Sequence, residues 1–217
     1  MNDADMTQAQ VNDSASQLVL ASASPRRSEL LQQLGLRFRS LAVAVDETPH
    51  LNEDPERYVR RLAQAKAMLG WEQDHSDLPV LGADTAVVVD DEILGKPADR
   101  GQAVEMLERL AGRSHHVFTG VALVRGEQVA MRVARTRVSF RELSRAEIET
   151  YWETGEPADK AGGYAIQGLG AIFVRRIDGS YSAVMGLPLF ETADLLETLG
   201  MPVLGIISAM GQRPAFL

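Results

Sequence analysis

The chain has 217 residues, 45% of them hydrophobic and 24% charged, with no cysteine and a formal net charge of −8. That composition fits a globular protein and excludes disulfides, thiolate metal sites and a cysteine nucleophile. It also disfavours a surface that coats nucleic acid, which must be basic to displace phosphate counterions.

No apolar run approaches the roughly 18 residues that a membrane span needs, so no membrane partner is expected. The first 25 residues hold no Lys or Arg, and Asp3, Asp5 and Asp13 stand where a signal peptide would be basic. Residues 1–16 are therefore expected to be a disordered polar leader, and the protein cytoplasmic. Leu18 to Ala21 reads as a buried strand, followed by helix-start chemistry in which Ser24 caps and Pro25 takes the first helical position. That helix carries Leu30, Leu31 and Leu34 on one face and stops at Gly35. Leu36 to Val45 is strand-like. Asp54-Pro55 opens a second helix to about Leu69, with Tyr58, Leu62, Ala65 and Leu69 spaced for one buried side.

Val80 to Asp84 is an apolar run ending on a carboxylate, and Ala86–Val89 with Ile93-Leu94 reads as a hairpin about Asp90-Asp91. A helix over Gln102–Ala111 ends at Gly112. Two long strands, His116–Val124 and Val129–Phe140, flank the turn at Arg125–Gln128. Ser144 and Glu147 form a capping box for a helix reaching about Thr154. Strands Ala171–Ile177 and Tyr181–Met185 about Asp178-Gly179 follow, then a helix over Pro188–Leu199 ended by Gly200. The apolar tail, 201–217, suits docking on the core or on a second subunit. Strands and helices alternate first and hairpins intrude later. The expected class is thus α/β, a mixed central sheet flanked by helices with a hairpin-rich second lobe, as one domain over 17–200.

Several motifs fail on inspection. Gly95-Lys96 is no P-loop, because Asp90 stands at the first glycine and Pro97 replaces the magnesium-binding hydroxyl. Gly168-Leu169-Gly170 is no dinucleotide fingerprint, because Phe173 fills the third glycine position and a strand is expected next. His115 and His116 would face opposite sides of a strand and cannot share a metal.

Three strand-end loops concentrate polar residues. Ser22-Ala23-Ser24-Pro25-Arg26-Arg27 joins a strand to a helix N-terminus, where free N–H groups, hydroxyls and guanidiniums would suit an anion. Gly82-Ala83-Asp84-Thr85 delivers a carboxylate at the end of a buried strand, where ligand sites of open α/β sheets lie. Asp46-Glu47 offers further carboxylates. Read singly, each admits a plain alternative: a capped surface helix, a turn cap, a solvated acidic loop. The basic residues sharpen the picture, since 19 are Arg and only Lys66, Lys96 and Lys160 are Lys. An ammonium serves as a compact point charge on phosphate where a guanidinium would impose a planar fork. Lys160 opens a glycine-rich stretch in which Gln167 offers both donor and acceptor to a base edge.

Leu20-Ala-Ser-Ala-Ser-Pro-Arg-Arg27, Gly82-Ala-Asp-Thr85, Leu94-Gly-Lys-Pro97 and Asp159 to Gly168, in that order, resemble the Maf family of nucleoside triphosphate pyrophosphatases. The likeness spans residues 18 to about 199. The 159–168 stretch is similar to the subgroup acting on dTTP and UTP rather than the one acting on 7-methyl-GTP. The resemblance implies a Maf/inosine-triphosphatase-like fold and hydrolysis to a nucleoside monophosphate and pyrophosphate with a divalent cation (Mg, Mn or Co). It implies Asp84 as proton acceptor and Glu47 and Asp84 as metal ligands. One carboxylate does not serve fully as both, because tight coordination lowers its basicity. Lys66, Lys96, Arg26 and Arg27 would neutralise phosphate charge, Ser22 would bond a phosphate oxygen, and Arg26, Thr85 and Gln167 would set nucleotide choice. A homodimer is expected. A regulatory nucleotide-binding role, linked in the family with septum formation, stands as the alternative, as does 7-methyl-GTP hydrolysis.

Overall fold

Strand β1 (Leu18–Leu20) is buried at every residue and lies parallel to both its neighbours, β2 (Phe38–Ser40) and β3 (Val80–Val89). Parallel neighbours need crossovers, which here are the helices α1 (Pro25–Gln33) and α2 (Pro55–Gln73). The chain leaves β1 for β2 on one side and returns as β3 on the other, so the order is β2-β1-β3. Such a reversal opens a crevice at the carboxyl ends of the strands. This computed structural model describes residues 16–205; the expected leader, apart from Ser16, and the tail beyond Gly205 lie outside them.

The sheet then becomes antiparallel. β3 turns through Asp90 and Asp91, both at positive φ (54° and 61°), into β4 (Glu92–Leu94), as a two-residue hairpin of matching twist requires. Helix α3 (Arg100–Leu110) leads to β5 (Ser114–Arg125), which pairs with β3, and to β6 (Gln128–Phe140). Helix α4 (Arg145–Glu153), opened by the expected Ser144–Glu147 capping box, precedes three short 3-10 turns at 156–159, 161–163 and 169–173. Strand β7 (Val174–Asp178) completes the order β2-β1-β3-β5-β6-β7, and α5 (Tyr181–Met185) and α6 (Leu189–Thr198) follow. The expected hairpin-rich lobe, here β5 to β7, extends this same sheet. Val203, at the start of the apolar tail, packs into the core around Leu18, Leu30 and Leu196.

Four expectations for the strands change. β3 does not break after Asp84: every residue from Val80 to Val88 has a partner on β5, so the ladder carries the polar Asp84-Thr85 pair through. Between Leu36 and Val45 only Phe38–Ser40 pairs, because β1 is three residues long and offers no further partner. Tyr181–Met185 is helical, since the Ser180 hydroxyl accepts from the Ala183 N–H and Gly186, at φ 116°, ends the turn. Ala171 lies in a 3-10 turn rather than in β7.

Candidate active site

Helix α2 is drawn unusually close to the sheet. A Cβ on Gly82 would lie 2.4 Å from the Ala63 carbonyl oxygen, and one on Gly120 would lie 2.5 Å from that of Val59. Only glycine lets helix and strand backbones meet at that separation. The buried stripe of α2 is Val59, Leu62, Ala63, Lys66, Ala67 and Gly70, a regular i, i+3, i+4, i+7 series. Tyr58 and Leu62 are buried as expected, but Ala65 and Leu69 are only half-buried, and the stripe has a lysine at its centre.

Lys66 is 7% exposed and Asp84, opposite it on β3, is 5% exposed. The Lys66 ammonium donates to Asp84 Oδ1 at 2.7 Å and to Glu47 Oε1 at 2.5 Å. Burial pushes the Asp84 carboxyl above its ordinary value, against the opposing pull of Lys66 and Arg27. Burial acts in the same sense on Glu47, but there the Lys66 bond and charge prevail, helped by Lys96 and Arg27, and hold it low. Two nearby carboxylates are thus pushed in opposite directions. Tyr58 fixes the Glu47 loop by donating to the Glu47 carbonyl at 2.9 Å. Arg61 clips the same loop through both oxygens of Glu53 at 2.7 Å and the Thr48 carbonyl at 3.2 Å.

The opposite wall is the 22–27 loop. Ser24 occupies the N-cap position of α1 with extended backbone, but its side chain makes no capping bond, contrary to expectation. Its own N–H instead donates to Ser22 Oγ at 3.1 Å. The first turn of α1 therefore keeps its N–H groups uncapped by a side chain, which is the arrangement that receives anions. Arg27 is tied down: Nε donates to the Gly186 carbonyl at 2.9 Å, and its two terminal nitrogens lie 3.5 Å from Ser22 Oγ and 3.4 Å from Thr85 Oγ1. One bond per nitrogen leaves two of the five guanidinium N–H donors for a ligand. Thr119 donates to the Ala183 carbonyl at 2.7 Å and lies 3.1 Å from Thr85 Oγ1, which binds β3, β5 and α5 around this point.

Ser22, Arg26, Arg27, Glu47, Lys66, Asp84, Thr85, Lys96 and Gln167 all line one cleft of about 750 Å³. Lys66 and Asp84 form its floor; Lys96 and Gln167 are exposed on its walls. The 156–170 segment that carries Gln167 is pinned by Glu156, which accepts from the Leu169 N–H at 2.9 Å, the Gly170 N–H at 3.0 Å and the Tyr151 hydroxyl at 2.7 Å. His115, buried on β5, lies 2.8 Å from the Tyr164 hydroxyl beneath the same segment, while His116 points elsewhere beside Arg135. Thr119, Glu156 and Gly186 escaped the sequence reading, as did the bond from Tyr58, expected only as a buried helix residue, to Glu47. Each acts through contacts that no local spacing announces.

Among the described residues, no group of three or more His, Asp or Glu is arranged to hold a metal ion alone. Glu47 and Asp84 each give one oxygen to Lys66 and keep the other. A pair of hard oxygen donors beside a phosphate-sized cleft fits magnesium, which binds through one or two carboxylates with substrate phosphates and water.

A family model described as Maf-like protein matches residues 17–199. The dTTP/UTP pyrophosphatase of Saccharophagus degradans is 52% identical over 194 residues, covering 88% of this chain and 92% of that protein. Its counterpart of the same description from Alkalilimnicola ehrlichii is 54% identical over 185 residues, covering 83% and 91%. Among solved structures, the nucleoside-triphosphatase/dITP/XTP pyrophosphatase of Mycobacterium abscessus aligns at 19% identity over 88% of this chain and 98% of that one. Its TM-score is 0.41.

Proposed function

The chain belongs to the Maf-like protein family, and on that premise we propose that it hydrolyses dTTP and UTP to the nucleoside monophosphate and pyrophosphate. The observation that carries the chemistry is the buried Asp84–Lys66 pair, joined at its rim by Glu47 and facing the uncapped N-terminus of α1 across one cleft. The relatives, at 52% and 54% identity, supply the substrate class. Their description favours turnover over nucleotide-binding regulation, and pyrimidine nucleotides over 7-methyl-GTP.

In this reading a water oxygen attacks the α-phosphorus while its proton passes to the free oxygen of Asp84. Burial makes that carboxylate more basic than an exposed one, and Lys66, expected on phosphate, instead gives its ammonium to Asp84 and Glu47 and fixes the orientation of Asp84. The bond from the α-phosphorus to the bridging oxygen breaks, and the electron pair leaves with pyrophosphate. Lys96, Arg26, the free donors of Arg27 and the α1 N–H groups neutralise the charge that gathers there, and Ser22 completes the cradle. Arg26, Thr85 and Gln167 discriminate among nucleotides, with Gln167 reading the base edge. Of the two candidate ligands, Glu47 would hold a divalent cation (Mg, Mn or Co) while the free oxygen of Asp84 takes the proton, and the cation would draw charge from the phosphate oxygens when bound.

The same proposal places residues 17–200 in one catalytic unit, since both halves of the sheet contribute walls to the cleft. It places the protein in the cytoplasm, where nucleoside triphosphates are made, and as a homodimer. Product analysis over a nucleotide panel, with and without metal, tests the reading. The expected result is dTMP and UMP with pyrophosphate, dependent on metal. Recovery of intact dTTP and UTP would overturn it.

A further inference from the structure

Two cations of the cleft share one carboxylate. Arg26 Nη1, in the first turn of α1, lies 3.7 Å from Asp159 Oδ2, and the Lys160 ammonium pairs with Asp159 Oδ1. The cations come from separate parts of the chain, one following β1 and the other between the 3-10 turns beyond α4. The Lys160 backbone is held firmly: its N–H donates to the Pro157 carbonyl at 3.1 Å and its carbonyl accepts from the Gly163 N–H at 3.0 Å. Gly162, at φ 69°, packs against Val87 and donates to the Gly95 carbonyl at 3.0 Å, which fastens the segment to the end of β4.

The three side chains differ in their exposure. Lys160 is 15% exposed, whereas Asp159 is 68% exposed. A carboxylate so open to water holds its partners weakly, because solvent screens the pair and competes for both ions. Lys160 is the more committed member, fixed on the cleft wall with its charge aimed at Arg26's own counter-ion.

We infer that Lys160 is a further substrate-binding cation, forming with Arg26 a phosphate subsite in which Asp159 is the resident anion of the free protein. The inference rests on the nucleotide reading of the cleft. An arriving phosphate takes over both cations, and Asp159 moves into water that already reaches most of it. Lys160 supports this exchange well, since an ammonium is a point charge on a flexible stem and follows an oxygen without a fixed plane. Asp159 then competes with substrate and with product pyrophosphate alike. Neutralising Asp159 should tighten anion binding, while neutralising Lys160 should loosen it. A merely structural ion pair gives no such opposition of sign, because losing either partner would relax the same segment.

Titration calorimetry of the full chain with inorganic pyrophosphate reads this directly and needs no turnover. Lys160→Met should weaken binding about tenfold, the size of one charge-assisted hydrogen bond, and Lys160→Arg should stay within about threefold of the parent. Asp159→Asn should tighten binding by about threefold, as the loss of an exposed competing charge implies. Parent-like binding by Lys160→Met would overturn the inference, as would unchanged or weakened binding by Asp159→Asn. If Lys160→Met fails to fold, the arginine and asparagine variants still decide. A parent protein that leaves dTTP intact would instead count against the pyrophosphatase reading, so the two failures are distinguishable.

Discussion

Lys66 sits in the middle of a buried helical stripe with two carboxylates on its ammonium. Burying the Lys66 and Asp84 charges is costly, and such a pair stabilises a fold less well than apolar residues of the same volume. Its value lies in what it does to Asp84. Burial raises that carboxyl and Lys66 restrains the rise, so removing the ammonium should move Asp84 further up. In the metal-free protein, ¹³C titration of the Asp84 carboxyl should find its midpoint at higher pH in Lys66→Met than in the parent. A midpoint that falls or stays put would show that Lys66 does not restrain it. At this scale the sequence was informative where residue type was unusual: a lysine in an arginine-rich chain, and an aspartate inside an apolar run. It placed Tyr58 on the buried side of its helix but did not show that its hydroxyl holds the Glu47 carbonyl, nor the part of Asp159, which depends on a contact with Arg26.

Among the elements, the contact of α2 with β3 and β5 matters most. Gly82 and Gly120 let the helix backbone settle onto the strands, and that approach brings Lys66 to Asp84. A Cβ at Gly82 would meet backbone atoms at 2.4 and 2.5 Å, which cannot swing aside as a side chain can. Gly82→Ala should therefore push α2 outward, costing about 1–3 kcal/mol of stability in denaturant titration, with activity falling as Lys66 and Asp84 separate. An alanine variant of parent stability and activity would show that the close approach is not required. The existence of α2 was legible from Asp54-Pro55 and the apolar spacing, but only half of its buried face was: Tyr58 and Leu62 are buried as expected, Ala65 and Leu69 are not. Ala65 and Leu69 drew the expected stripe one residue away from Lys66, because a charged residue is not a natural choice for a core position. The capping box of α4 was legible because its signal is wholly local. The helical state of Tyr181–Met185 was not, since its alternating pattern also suits a strand and only the Ser180 cap and Gly186 decide.

For the whole molecule, the site follows from topology. The parallel order β2-β1-β3 opens a crevice beyond the carboxyl end of β1, and the 22–27 loop enters it from one side. β3 runs on past the last β1 pairing at Leu81, and so delivers Asp84 into that crevice from mid-strand rather than from its end. A net charge of −8 says nothing against a polyanionic substrate, because Arg26, Arg27, Lys66, Lys96 and Lys160 are all on the cleft. That segments 20–27, 82–85, 94–97 and 159–168 belong together was legible from their resemblance to one family, and all four supply residues to the cleft. How they meet was not: Arg27 bonds the Gly186 carbonyl across 159 residues, a closure that no local pattern encodes. The role of Asp84 as the base is tested most directly by Asp84→Asn, which keeps shape and hydrogen bonding but cannot take a proton. With dTTP as substrate, kcat should fall by about 10²–10⁴-fold while nucleotide binding persists; turnover at the parent rate would contradict the role assigned to Asp84.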